Sequence, residues 1–129
     1  MRIDISYALP SLANLSQGWR KRHALFKQMN LMAYWEVLPY AKEILSMEMP
    51  VTIKLIRVGP RELDSDNLAY AFKPIRDGIA MAIWPEKTRP TQDSHKDVIW
   101  EYNQVKNKLR SIAFEFYSAN SATSTPSEQ

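Results

Sequence analysis

Asp64 and Asp66 are the residues in this chain whose type and spacing could do chemistry, standing one residue apart in Leu63-Asp64-Ser65-Asp66-Asn67-Leu68. Two steps along a helix rotate side chains by about 200°, so this spacing puts both carboxylates on one side only where the chain is extended. A strand is predicted to end at Gly59-Pro60 and a helix to begin near Asp66. Asp64 can then occupy the non-helical cap while Asp66 leaves the first turn toward the same point. Carboxylates held together repel unless a proton or a cation lies between them. The chain has no cysteine, and its histidines, His23 and His95, are distant in sequence. The fitting cation is therefore a hard one, Mg²⁺ with Mn²⁺ as a substitute, held by carboxylate, water and a substrate phosphate. The same residues also read as a plain helix start, with Asp64 or Asp66 as the cap and Asn67 bonding a backbone group. Spacing alone does not separate the two readings.

The elements that must position this pair follow from the apolar patterning. Residues 1 to 9 alternate as a strand with Met1, Ile3, Ile5, Tyr7 and Leu9 on one face, ended by Pro10. After a polar connection, residues 19 to 46 read as helical, with Leu25, Met29, Met32, Trp35, Tyr40 and Ile44 on the apolar side and a break at Pro39. Pro50 to Val58 reads as a β-branched strand. The helix from Asp66 carries Leu68, Ala71, Phe72, Ile75, Ile79 and Ile83, and Pro74 within it predicts a bend between Tyr70 and Pro74. Residues 84 to 96 read as a loop. Two strands follow, Val98–Val105 and Leu109–Tyr117, joined by Lys106-Asn107-Lys108 as a hairpin in which Asn107 takes positive φ. The expected fold is α+β, a mixed β-sheet with element order β-α-β-α-β-β and helices packed on the sheet. The aromatics Trp35, Trp84, Trp100 and Phe114 are expected in the core.

A length of 129 residues suits one domain, read here as residues 1–117 followed by a polar, disordered tail over residues 118–129. No apolar run approaches the roughly 20 residues that span a bilayer, and Asp4 interrupts any secretory signal, so a cytoplasmic protein with no membrane partner is expected. Formal charge is +3, too small to argue for nucleic acid by itself. Its distribution says more. Trp19-Arg20-Lys21-Arg22-His23-Ala24-Leu25-Phe26-Lys27 holds Arg20, Lys21, Arg22 and Lys27 with no acid and with interleaved aromatics. It reads either as a solvated helix face or as a phosphate-binding one.

The stretch from Arg57 to Ala80, Arg57-Val58-Gly59-Pro60-Arg61-Glu62-Leu63-Asp64-Ser65-Asp66-Asn67-Leu68-Ala69-Tyr70-Ala71-Phe72-Lys73-Pro74-Ile75-Arg76-Asp77-Gly78-Ile79-Ala80, closely resembles the central motif of the RusA-like Holliday junction resolvases, a family often encoded by phages and prophages. Its elements are a strand, a basic or proline-containing lead-in, Asp-x-Asp-Asn-Leu, a helix bearing a lysine, and an Asp-Gly-Ile-like segment. The resemblance covers about residues 1 to 117, with a weaker echo at 91 to 104.

The resemblance implies an Mg²⁺-dependent endodeoxyribonuclease, a homodimer that binds four-way DNA junctions and nicks two opposed strands symmetrically in recombination and repair. It assigns Asp64, Asp66 and a third carboxylate, Asp93, to the metal, with Asp97 and Glu86 as alternatives for the third because the segment before Asp93 is longer than in relatives. It assigns catalytic help to Lys73, although the founding type carries its lysine where this chain has Tyr70. Arg20, Lys21, Arg22, Lys27 and Arg61 are the candidates for phosphate contacts. Two other readings stay open: a DNA-binding protein on the same fold that has lost catalysis, and a metal nuclease acting on flaps or other branched DNA.

Overall fold

A strand buried on both faces belongs inside a sheet, and Val51, Thr52, Ile53, Leu55 and Ile56 are all buried. In the computed structural model, which describes residues 1–10, 18–85 and 97–118, the elements are β1 (Arg2–Ile5), α1 (Trp19–Val37), a 3₁₀ turn (Leu38–Tyr40), α2 (Ala41–Leu45), β2 (Val51–Gly59), α3 (Ser65–Ile83), β3 (Val98–Lys106) and β4 (Ser111–Ser118). The four strands form one mixed sheet in the order β1-β4-β2-β3. β2 runs parallel to β3, from Val51↔Val98 to Gly59↔Lys106, and antiparallel to β4, from Val51↔Ser118 to Val58↔Ser111. The α+β architecture and the element order are those expected from the sequence.

The expected β3–β4 hairpin is not formed. β2 lies between the two strands, because the most apolar strand buries most surface with a neighbour on each edge, and this outweighs the turn signal at Asn107. Residues 107 to 110 instead cross the end of β2, a span of about 10 Å for two strand spacings. The Asn107 N–H donates to the Gly59 carbonyl at 2.9 Å, and the Leu109 N–H donates to Asn107 Oδ1 at 3.0 Å.

One face of the sheet is covered by the core. Ile3 and Ile5 of β1, Ile53 and Leu55 of β2, and Ile112, Phe114 and Phe116 of β4 meet Met29, Ala33 and Val37 of α1 and Leu68, Phe72, Ile75 and Ile79 of α3. The buried row of α1 therefore differs from the expected one. Leu25 and Met32 are half-buried, whereas Trp35 is 64% exposed and Tyr40 42% exposed. The reason is that α1 packs tightly on α3: a Cβ placed on Gly78 would lie 2.2 Å from the Asn30 carbonyl oxygen, an approach that only glycine permits. Pro39 ends α1 as expected. Pro74 does not interrupt α3, which runs from Ser65 to Ile83 with Asn30 Nδ2 donating to the Pro74 carbonyl at 3.2 Å.

β1 is shorter than the alternation suggested, closed by a Tyr7 N–H bond to the Ile5 carbonyl, yet Leu9 is still buried. β4 runs one residue past the expected boundary, to Ser118. Phe114 is core, and Trp84 and Trp100 pack half-buried against it. The segments 11–17, 86–96 and 119–129, and with them Glu86, Asp93 and His95, lie outside the described residues. Among the described residues no helix is long and apolar enough to cross a membrane.

Candidate active site

Asp64 is the N-cap of α3, in extended backbone conformation. Its Oδ1 accepts the Asn67 N–H at 2.9 Å, satisfying one of the free donors at a helix start, and its Oδ2 accepts from Asn67 Nδ2 at 3.3 Å. The capping role is thus real. It does not exhaust the carboxylate, which offers about four lone-pair sites, two of them used here. Asp66 is exposed in the first turn. The donor set at this turn is all oxygen and suits a hard cation.

The loop that delivers Asp64 is fixed by a residue that sequence reasoning missed. Gln104 of β3 clasps the backbone of Leu63 from both sides: its Oε1 accepts the Leu63 N–H at 3.0 Å and its Nε2 donates to the Leu63 carbonyl at 2.6 Å. Gln104 is ordinary by composition and sits forty-one positions away in sequence. Only the parallel β2–β3 register brings the C-terminal ends of both strands to the start of α3. The Asn67 side-chain amide bonds the carboxylate of Asp64, not a backbone group.

α1 and α3 run parallel. Phe26 meets Tyr70 edge-to-face at 6.1 Å, Asn30 bonds Pro74, and Ala33 and Asn30 abut Gly78. The N-terminal turn of α1 therefore lies at the same end of the domain as Asp64 and Asp66. It carries Arg20, Lys21 and Arg22, with no acidic residue and no side-chain cap at Gly18. Cations at a helix N-terminus oppose the helix dipole, which favours anions there. The arrangement makes physical sense when an external anion approaches this end. Arg20 lies 5.9 Å from the Trp19 ring centroid; Arg20, Lys21 and Lys27 are exposed and Arg22 is half-buried.

Lys73 is exposed on α3, seven residues beyond Asp66, about 10.5 Å along the axis and on nearly the same face. With His23, Phe26, Lys27, Asn30 and Asp77 it lines a cleft of about 310 Å³ between α1 and α3. Arg61 is exposed in the lead-in to the acidic turn.

The structure removes Asp97 as a third ligand of the Asp64–Asp66 site within one chain. It immediately precedes β3, seven residues before Gln104, which at about 3.3 Å per residue is roughly 23 Å from the loop that Gln104 holds. Its carbonyl accepts the Val51 N–H at 3.0 Å, at the opposite end of the sheet. Among the described residues no group of three His, Cys, Asp or Glu side chains comes together. Asp93 lies outside the described residues. Arg76, on the helix segment that carries the Asp-Gly-Ile match, is engaged with the sheet, stacked 5.1 Å from the Trp100 ring centroid and donating to the Tyr102 hydroxyl at 2.9 Å.

No protein-family model, curated protein or solved structure matches the chain.

Proposed function

We propose that this chain is a divalent-metal-dependent endodeoxyribonuclease acting on branched DNA, of the RusA-like junction resolvase type. The observation that carries the reading is the placement of Asp64 and Asp66 at the start of α3, at the end of the domain where the basic first turns of α1 also lie. Asp64, Asp66 and, from the family resemblance, Asp93 would hold Mg²⁺. A bound Mg²⁺ supplies water activation and neutralises charge building on the phosphate.

The chain's own residues do the rest. Gln104 and Asn67 hold the Asp64 carboxylate in place, so little reorganisation is needed as charge develops. Lys73 would steady the additional negative charge of the phosphate. Arg20, Lys21, Arg22, Lys27 and Arg61 would hold the backbone. In the reaction, a water oxygen bonds to phosphorus in line with the breaking bond to the 3′ oxygen; the water proton is lost to solvent and the leaving oxygen is protonated. The products are a 5′-phosphate and a 3′-hydroxyl. Symmetric nicking of a four-way junction in recombination or repair requires two sites, hence a homodimer, acting in the cytoplasm.

One observation favours a second reading, junction binding without cleavage: Asp64 already has a structural role as the N-cap of α3, and no third carboxylate joins it among the described residues. Incubating the protein with labelled four-way junction, flap and linear duplex, in Mg²⁺ or EDTA, separates them. Asp64→Asn and Asp66→Asn complete the test, because asparagine caps about as well as aspartate but lacks the charge a hard cation needs. Folded variants that bind the junction and no longer cut it are expected. Full cleavage by Asp66→Asn in Mg²⁺ overturns the metal assignment.

A further inference from the structure

A second bank of cations stands at the C-terminal end of β2. Arg57 and Arg61 flank the breaker Gly59-Pro60, and Lys106, Lys108 and Arg110 lie on and around the segment that crosses the end of the strand. Lys106 is the register partner of Gly59, and Ser111, the neighbour of Arg110, is the partner of Val58. Continuing that register by one residue sets Arg110 opposite Gly59. Arg57 and Arg110 are then diagonal neighbours on one face of the sheet, about 7 to 8 Å apart at Cα.

Arg57 is the informative member. Its guanidinium folds back over Gly59, where a Cβ would meet Nη1 and Nη2 at 3.5 Å. Nη1 donates to the Arg61 carbonyl, and Nε is buried with no hydrogen-bond partner. Burial, and then the charge of Arg110, lower its pKa from the usual arginine value. Arg2 pairs with Asp4 and with Glu115 on the opposite face of the sheet, whereas among the described residues neither Arg57 nor Arg110 forms an ion pair with a carboxylate, although Asp4 and Arg110 line one cleft. Like charges brought together without an acid raise the free energy of the empty protein. An anion relieves that cost, and the planar fork of a guanidinium fits phosphate oxygens.

We propose that Arg57, Arg61, Lys106, Lys108 and Arg110 form a binding surface for the phosphate backbone of duplex DNA, beside the Asp64–Asp66 turn. The row spans three strand ends, about 10 Å across the sheet alone, which matches a chain of phosphates better than one small anion. Arg61, Lys106, Lys108 and Arg110 are exposed, and Arg57, held by the Arg61 carbonyl, anchors the row. The surface deepens the function proposed above and rests on it for the direction in which the DNA is led, toward the carboxylates.

Fluorescence anisotropy of a labelled duplex and a four-way junction, titrated in EDTA across a range of NaCl, tests the surface apart from catalysis. The combined variant Lys106→Ser, Lys108→Ser, Arg110→Ser alters exposed side chains only and should keep its melting temperature. Its slope of log affinity against log salt should fall by about 2.7, from about 0.9 for each lost phosphate contact. Arg57→Gln should lower the slope by about 0.9. Wild-type slopes and affinities in both variants overturn the proposal, as does a wild-type protein that binds no DNA, or competition by polyglutamate equal to that by DNA of the same charge. Salt-dependent binding carried by these residues, with no cleavage in Mg²⁺, overturns the nuclease reading and leaves this surface standing.

Discussion

Gln104→Ala removes the two hydrogen bonds that hold the Leu63 backbone, 3.0 and 2.6 Å long and half-buried. Each such bond contributes about 1 kcal/mol net, so the substitution should cost about 2 kcal/mol of stability. In a domain of this size that corresponds to a melting temperature lower by about 7 °C. The functional effect should exceed the thermal one at temperatures where the variant is still folded. Asp64 follows Leu63 directly, and a loop free to shift by an ångström misplaces the carboxylate on which charge neutralisation would depend. Cleavage of a labelled junction in Mg²⁺ should therefore fall at least tenfold in kcat, with a smaller loss of junction affinity in EDTA, because Gln104 carries no charge although it is the register partner of Arg57. Gln104→Glu is the informative companion. Its carboxylate still accepts the Leu63 N–H but cannot donate to the Leu63 carbonyl, so it should lie between the alanine variant and wild type. A melting temperature for Gln104→Ala that matches wild type would refute the clasp. A lower melting temperature with undiminished kcat would show that the clasp supports the fold and not the site.

Gly78→Ala should destabilise despite the higher helix propensity of alanine, since the new methyl meets the Asn30 carbonyl oxygen at 2.2 Å and forces α1 from α3; a net loss of about 1–3 kcal/mol by denaturant titration is expected. Arg20→Ala with Arg22→Ala should flatten the salt dependence of junction binding by about 0.9 in slope per contact and leave folding intact; an unchanged slope returns the α1 bank to a solvated face. Burial raises the pKa of Tyr7. A raised folded-state value means stability present below the unfolded pKa, about 10, and lost as pH climbs through the higher folded one, so Tyr7→Phe should flatten the alkaline limb of a stability–pH profile and leave neutral pH unaffected.

The fold was legible where periodicity is strong and local. α3 announces itself by Leu68, Phe72, Ile75 and Ile79, and β2 by its β-branched run, and both form where expected. α1 was less legible because its buried row, Met29, Ala33 and Val37, is set by contact with Gly78 rather than by hydrophobicity, which left Trp35 looking like core. Asp64 could be read as a cap and as a ligand from its neighbours alone. Gln104 could not, since its role exists only through strand register. The misread hairpin had a larger effect. As a tight turn, Lys106-Asn107-Lys108 would have been a tip in solvent; as a bridge across β2 it presses against Gly59, and Lys106, Lys108 and Arg110 become neighbours of Arg57 and Arg61.

Chain directions then explain why a net charge of +3 understates the field. Parallel α1 and α3 point both helix N-termini, each equivalent to about half a positive charge, toward one end of the domain. Parallel β2 and β3 end there too, adding the loops with Arg57, Arg61, Lys106, Lys108 and Arg110 to the Arg20–Arg22 turn. The acids of this end among the described residues include Asp4, level with Ile56 in the sheet, Glu62, and the proposed metal ligands Asp64 and Asp66. Among the described residues, Glu36, Glu43, Glu48 and Asp97 stand at the far end, with Lys42. On the proposed function, a polyanion approaching from solution would be turned toward this basic end before contact. A cation bound between the Asp64 and Asp66 carboxylates would offset their negative charge at the basic end. Metal loading and DNA capture should on this account reinforce one another, each strengthening the field that favours the other.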